Sequence, residues 1–147
     1  MALPAFRVAQ TISGNAPFRK VHTTGGIVTK GAFLVLAAGG TVTAVADDAA
    51  GVIGLADSDA ASGAEVVVVY ATPDVIFSGN VSTGAPADTT DIGSLFSVDI
   101  LGIDLNDTSG IAIVHGIDTT DSTVAAGTRV LFSIITTGFQ GPGGVAV

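Results

Sequence analysis

Neither cysteine nor tryptophan occurs in the 147 residues, and the chain holds one tyrosine, one methionine, one glutamate, two lysines and two histidines. The missing thiol excludes a disulfide framework, a thiolate metal centre and a cysteine nucleophile. Charged residues make up 12% of the chain, about half the share usual for a soluble domain. Glu, Lys, Gln and Met, which long helices favour, are nearly missing. The longest apolar run, Gly31 to Ala46, is broken by Gly39-Gly40 and Thr41. It falls short of the roughly 20 apolar residues of a membrane span, so no membrane partner is expected. The first residues have no basic stretch leading into an apolar core, and no secretory signal is read there.

What is present is β-forming. Val, Ile and Thr contribute 48 residues and Gly another 20, with 48% hydrophobic residues overall and a mean hydropathy of +0.66. The length fits one domain with a self-supporting core. β-branched residues suit a pleated, half-buried surface, so the fold class expected is all-β, a small barrel or sandwich. A local grammar recurs: a turn ends in Gly, and an apolar run follows within two residues, as at Gly31, Gly63, Gly93 and Gly127. Acid-rich turns precede three of these runs, at Asp57/Asp59, Asp88/Asp91 and Asp118/Asp121. In such turns Gly supplies positive φ and Asp caps the backbone.

This grammar predicts strands near 26–29, 32–37, 41–46, 51–56, 64–71, 74–81, 94–100, 110–117 and 128–136. Gly39-Gly40 reads as a two-residue hairpin turn. Val66 to Tyr70 reads as a strand buried on both faces or sealed by a neighbouring subunit. A short helix is allowed around 88–95 or 120–126. Residues 1–24 contrast with the rest: Pro4 and Pro17 interrupt them, and Phe6, Val8 and Ile12 alternate as in an extended or edge strand. The domain reading is an N-terminal extended arm over 1–24 and a single all-β domain over 25–147.

Charge is polarised along the chain. Residues 1–46 hold Arg7, Arg19, Lys20 and Lys30 and no acid, a formal +4; residues 47–147 hold all 13 acids and Arg129, a formal −12. The basic end reads as an arm with its own binding task, and the acidic body repels polyanions. Four dispersed cations without interleaved aromatics make no nucleic-acid footprint, so no nucleic-acid partner is expected.

The chemical inventory points away from catalysis. No Gly-x-Ser-x-Gly elbow, phosphate loop or dinucleotide fingerprint occurs. His115 sits in an apolar strand and reads as structural; a small hydrolase pairing it with an Asp is the weakest reading. The paired aspartates read as turn caps, since a glycosidase cleft needs sugar-stacking rings that this chain lacks. Asp104-Leu-Asn-Asp-Thr-Ser-Gly110 departs from the calcium-loop pattern, with Ser109 where Gly is required and His115 where Glu is required. The expectation is no enzyme, no metal and no cofactor.

The stretch Gly25–Val81, GGIVTKGAFLVLAAGGTVTAVADDAAGVIGLADSDAASGAEVVVVYATPDVIFSGNV, resembles the head decoration, or cement, proteins of tailed double-stranded DNA phages. The likeness lies in Lys30–Leu36, Thr41–Ala46 and Gly51–Leu55, and again in Gly127–Phe132; 99–121 has no counterpart. The resemblance implies a β-barrel or β-tulip-like domain that binds the outside of an assembled phage capsid and stabilises it. It implies the major capsid protein as partner, a homotrimer at three-fold or quasi-three-fold positions, and a place on the virion after synthesis in the host cytoplasm. It also implies an N-terminal arm that adds a strand to capsid subunits. Carried onto Leu3–Val21, that role falls on Phe6, Arg7, Val8, Ile12, Phe18 and Arg19. The alternative is an adhesin-like or tail-associated β-module that binds a receptor or glycan through an exposed aromatic patch.

Overall fold

A computed structural model describes residues 5–47, 51–120 and 124–135, and in it the glycine-punctuated runs become eleven strands. In chain order these are β1 (Phe6–Thr11), β2 (Arg19–Thr23), β3 (Phe33–Leu36), β4 (Val42–Ala44), β5 (Val52–Ala56), β6 (Glu65–Tyr70), β7 (Val75–Thr83), β8 (Leu95–Asp99), β9 (Gly102–Asp104), β10 (Ala112–Ile117) and β11 (Arg129–Ile134). The all-β expectation holds.

Two sheets divide the strands. The first runs β1-β7-β11-β10-β8-β9, and an added parallel pairing of β9 with β7 closes five of its strands into a ring. The second runs β2-β6-β5-β3-β4. It curls until Thr24, just past β2, bridges Val42 in β4. Val28, Leu34, Val42, Ile53, Val66 and Val68 fill the inside of this curl. Alternation turns Phe33 to the other side, and a bulge at Ile53 in β5 lets Val52 and Leu55 join it there, in a core shared with the first sheet.

Four phenylalanines join the sheets there. Phe33 of β3 meets Phe6 of β1 at a ring separation of 4.5 Å and Phe77 of β7 at 5.0 Å. Phe132 of β11 lies 6.0 Å from both Phe6 and Phe33, all at the tilted or edge-on angles that aromatic pairs prefer. Gly79 makes the approach possible, because a Cβ at that position would stand 2.8 Å from the Phe6 ring and 2.9 Å from the Phe132 ring.

The N-terminal reading changes here. The arm expected over 1–24 is, from Phe6 to Thr23, part of the body: β1 pairs antiparallel with β7, and β2 with β6. Phe6, expected as a capsid contact, is 0% exposed. An aromatic ring gains more from burial among three others than from an exposed limb. Val8 likewise packs against the core.

Smaller differences have local causes. Residues 26–29 form no strand; Val28 makes a single bridge to Ala60. β9 was not expected, since three residues carry too short a pattern. Gly39 and Gly40 both take positive φ, but within a 3-10 turn over Ala38–Gly40, so β3 and β4 are joined by residues 37–41 instead of two residues. The allowed helix over 88–95 is one 3-10 turn, Thr89–Asp91, capped by Asp88. The alternative over 120–126 falls partly, and the end of the strand expected to residue 136 wholly, outside the described residues. In β6 the inner face is buried while Val67 is half-exposed, so burial on both faces is incomplete.

Truncating Phe6 opens a void in a shared core. Phe6→Ala is expected to cost about 3–5 kcal/mol in urea unfolding, a loss typical of buried rings and far above that of a surface change.

Candidate functional site: a basic cleft beside a buried ion network

Three neighbouring strands carry polar or charged side chains on the face of the first sheet that points away from the core. In β1, Arg7 lies between core-facing Phe6 and Val8; in β7, Ser78 and Asn80 alternate with Phe77 and Gly79; in β11, Arg129 precedes core-facing Val130. Register places Arg7 opposite Ser78, and Arg129 opposite Asn80. Asp118, just after β10, reaches into this group through a backbone bond from its N–H to the Arg129 carbonyl (3.0 Å).

The resulting network is tightly satisfied. Arg7 Nη2 donates to Asp118 Oδ2 at 3.2 Å and to Thr120 Oγ1 at 2.8 Å. Arg129 donates through Nε to Ser78 Oγ (3.0 Å), through Nη1 to Asn80 Oδ1 (2.7 Å) and through Nη2 to the Ser78 carbonyl (3.2 Å). Its Nε also lies 3.8 Å from Asp118 Oδ2. The Ser78 hydroxyl donates to the same carboxylate oxygen. Thr120 donates to Oδ1 from both N–H (2.9 Å) and hydroxyl (2.7 Å), so Asp118 is the turn cap expected from sequence and an ion-pair centre as well.

Burial alone raises the Asp118 pKa. The hydrogen bonds from Ser78 and Thr120, together with the Arg7 charge, overcome it and hold the group at about 2, below an ordinary value of 3.8. The Arg7 Nε is the buried side-chain donor left without a partner among the described residues.

Beside this network lies a cleft of about 370 Å³ between the first sheet and the end of β5. It is bounded by Phe6–Val8, Pro17, Arg19, Lys30-Gly31 and Leu55–Asp57, so three of the five cations of the chain gather at one opening. Arg19 Nε contacts Asp57 Oδ2 at 3.3 Å, an exposed pair of little energetic weight. β1 is the outer strand on this side. The bond from Asn80 N–H to the Ala5 carbonyl (2.9 Å) sets the ladder phase: Arg7 bonds β7, and the N–H and C=O of Phe6 and Val8 point away from it.

The six residues assigned to capsid contact are therefore split. Phe6 and Val8 are core residues, and Arg7 is engaged with Asp118 and Thr120. Ile12 (69% exposed), Phe18 (59%) and Arg19 are accessible. Val21 and Lys20, both exposed on β2, lie beside them. A bulge between Val8 and Gln10 explains Ile12: one extra residue flips the alternation and turns it outward.

Phe18 stacks on Tyr70 with ring centroids 5.0 Å apart, and Tyr70 Oη bonds His22 Nε2 at 2.7 Å. Burial, then the Lys20 charge, lowers the His22 pKa, so the ring is neutral at pH 7. His115 is the extra residue of a bulge in β10 and meets Ser133 Oγ at 2.8 Å. No acid orients its other nitrogen among the described residues, so the triad logic is incomplete there. Asp88, Asp104 and Asp107 cap their own turns, with Asp104 accepting from Asn106 N–H at 2.9 Å and Asp107 from Ser109 N–H at 3.0 Å. Asp47, Asp57, Asp59 and Asp74 instead bond residues distant in the chain, and Asp48 and Asp121 lie outside the described residues. Among the described residues no three His, Cys, Asp or Glu gather as metal ligands, and no helix is long and apolar enough to cross a membrane.

Sequence reasoning missed Arg129 and the second role of Asp118. The available signal was a lone cation opening an apolar strand in the acidic part of the chain. Comparison with known proteins adds no family: no protein-family model matches the chain, and no curated protein matches it.

The network makes a pH prediction. Asp118 has a depressed folded pKa, so its contribution is complete above an ordinary pKa of 3.8 and is lost as pH falls through about 2. Stability of the natural chain is expected to fall over that window. Asp118→Asn removes this part of the acid dependence and costs about 3–5 kcal/mol at neutral pH, because two arginines lose their counter-charge. Urea unfolding at a series of pH values checks both.

Proposed function

We propose that the chain is a structural protein of a phage virion, one that binds the outer surface of the assembled capsid and stabilises it. The major capsid protein is its partner, and copies sit as homotrimers at three-fold or quasi-three-fold positions. The observation that carries the reading is the placement of exposed apolar and basic residues together on the N-terminal strands. Ile12, Phe18 and Val21 stand out from β1, β2 and their connection, with Arg19 and Lys20 beside them. Exposed large apolar groups rimmed by charge mark protein interfaces. The all-β body, with no catalytic constellation assembled among the described residues, is compatible with a binding role, and the resemblance of Gly25–Val81 to decoration proteins supplies the partner.

The attachment differs from the arm drawn from sequence. Phe6 and Val8 hold the fold, so the contact is made by Ile12, Phe18 and Arg19, and strand addition uses an edge already inside a sheet. Deleting residues 2–20 therefore removes core packing along with any attachment. A surface test is cleaner: Phe18→Asp with Arg19→Glu should leave thermal unfolding near that of the natural chain. Co-sedimentation with purified capsids of the phage that encodes the protein should weaken at least about tenfold. Undiminished co-sedimentation overturns the attachment.

One observation favours a second reading, the adhesin-like or tail-associated module. Phe18, Tyr70 and His22 form a partly exposed aromatic patch of the kind that stacks on sugar rings. It calls for glycan binding by the isolated chain that is lost in Phe18→Ala; binding to capsids and to no glycan decides against it.

A further inference from the structure

Beyond attachment to a capsid, the structure carries a contact between copies of the chain. The turn between β8 and β9 is two residues long, since Asp99 pairs with Gly102. Its two residues are Ile100 and Leu101, 53% and 70% exposed. Two-residue hairpin turns favour Asn, Asp and Gly, so two large apolar side chains at such a tip serve neither the turn nor the core. Two acids flank the tip: Asp99 precedes it on β8, and Asp47 Oδ1 braces it by accepting from Ile100 N–H at 3.1 Å.

The basic cleft has the opposite character. Its accessible apolar wall is Val8 and Pro17, above buried Phe6 and Leu55, and its mouth carries Arg19 and Lys30, with Asp57 as the one acid. An apolar knob flanked by Asp47 and Asp99 and a cleft rimmed by cations complement each other in shape class and in charge sign. No residue bounds both the cleft and the pocket beside the tip.

We propose that the Ile100-Leu101 tip of one copy docks into the Arg19/Lys30 cleft of a second copy of this chain. Leu101 provides the apolar anchor, and the surrounding carboxylates face the cations and fix the orientation. The cleft mouth shares Arg19 with the proposed capsid contact, so Lys30 and Leu101 are the positions to change in a test.

Sedimentation of the full chain across the micromolar range, with single variants, tests it. The natural chain is expected to self-associate. Leu101→Asp, which spoils the tip, and Lys30→Glu, which reverses charge at the cleft, are each expected to weaken association about tenfold or more. Leu101 and Lys30 are both exposed, so the variants should melt with the natural chain. Ile27→Asp alters a residue 79% exposed outside both surfaces and should associate normally. Mixing Leu101→Asp with Lys30→Glu restores a contact between unlike copies, because one supplies an intact cleft and the other an intact tip. A natural chain that stays monomeric throughout overturns the proposal. So does unchanged association of Leu101→Asp, equal loss in Ile27→Asp, or a mixture that behaves as the sum of its parts. Lys30 and Leu101 lie outside the capsid-contact residues, so failure here is distinct from failure of the attachment.

Discussion

The packing of Phe33 against Phe6, Phe77 and Phe132 is the interaction on which the rest of the structure depends. Phe33 is the sole member of the four from the second sheet, and its rings at 4.5 Å and 5.0 Å from Phe6 and Phe77 tie the sheets into one core. Phe6 comes from the N-terminal strand, so the same contact fixes β1 in register with β7. Register then decides which side chains face outward. With Phe6 and Val8 turned inward, Arg7 must lie on the opposite face beside Ser78, where Asp118 and Arg129 meet it.

Ions held in that way are costly to desolvate, and a well-packed apolar group of similar volume often serves stability as well. Their role here is better seen as specification. Arg129, Ser78, Asn80, Arg7 and Asp118 satisfy one another only when β1, β7, β11 and the end of β10 are in one alignment. A slip of one residue in β1 would bury Arg7 among phenylalanines. The network thus reinforces, on the outer face, the register that the aromatic cluster sets on the inner one. It also engages Arg7 and Arg129, which leaves Arg19, Lys20 and Lys30 as the exposed cations.

Much of the fold was legible in the sequence. The Gly-then-apolar grammar located β3, β5, β6, β7, β8, β10 and β11 because each run is long enough for β-branched residues to outweigh other preferences. β9 was not legible: it is three residues held by the close approach of Gly102 to β7 and has no pattern of its own. The alternation of Phe6, Val8 and Ile12 was visible, but its meaning was not. Nothing local distinguishes a strand that will pair with a neighbour from one that pairs within its own chain, and the bulge that turns Ile12 outward leaves no compositional trace. Proline breaks and a run of basic charge suggested a separate limb, whereas long-range pairing with β7 determined the outcome. The candidate site was legible only in part, since convergence of Arg19 and Lys30 with Phe6–Val8 arises from two sheets meeting.

The central claim is that the N-terminal strand belongs to the core and leaves only its outer edge and its flanks accessible. Amide hydrogen exchange on the full chain tests this directly. The Arg7 N–H, bonded to β7, is predicted to exchange as slowly as the Ser78 N–H, through global unfolding alone, while the outward-pointing Val8 N–H exchanges much faster. Exchange of Arg7 at the rate of an unstructured peptide, with β7 still protected, would contradict the account and return the N-terminal segment to the status of a loose arm.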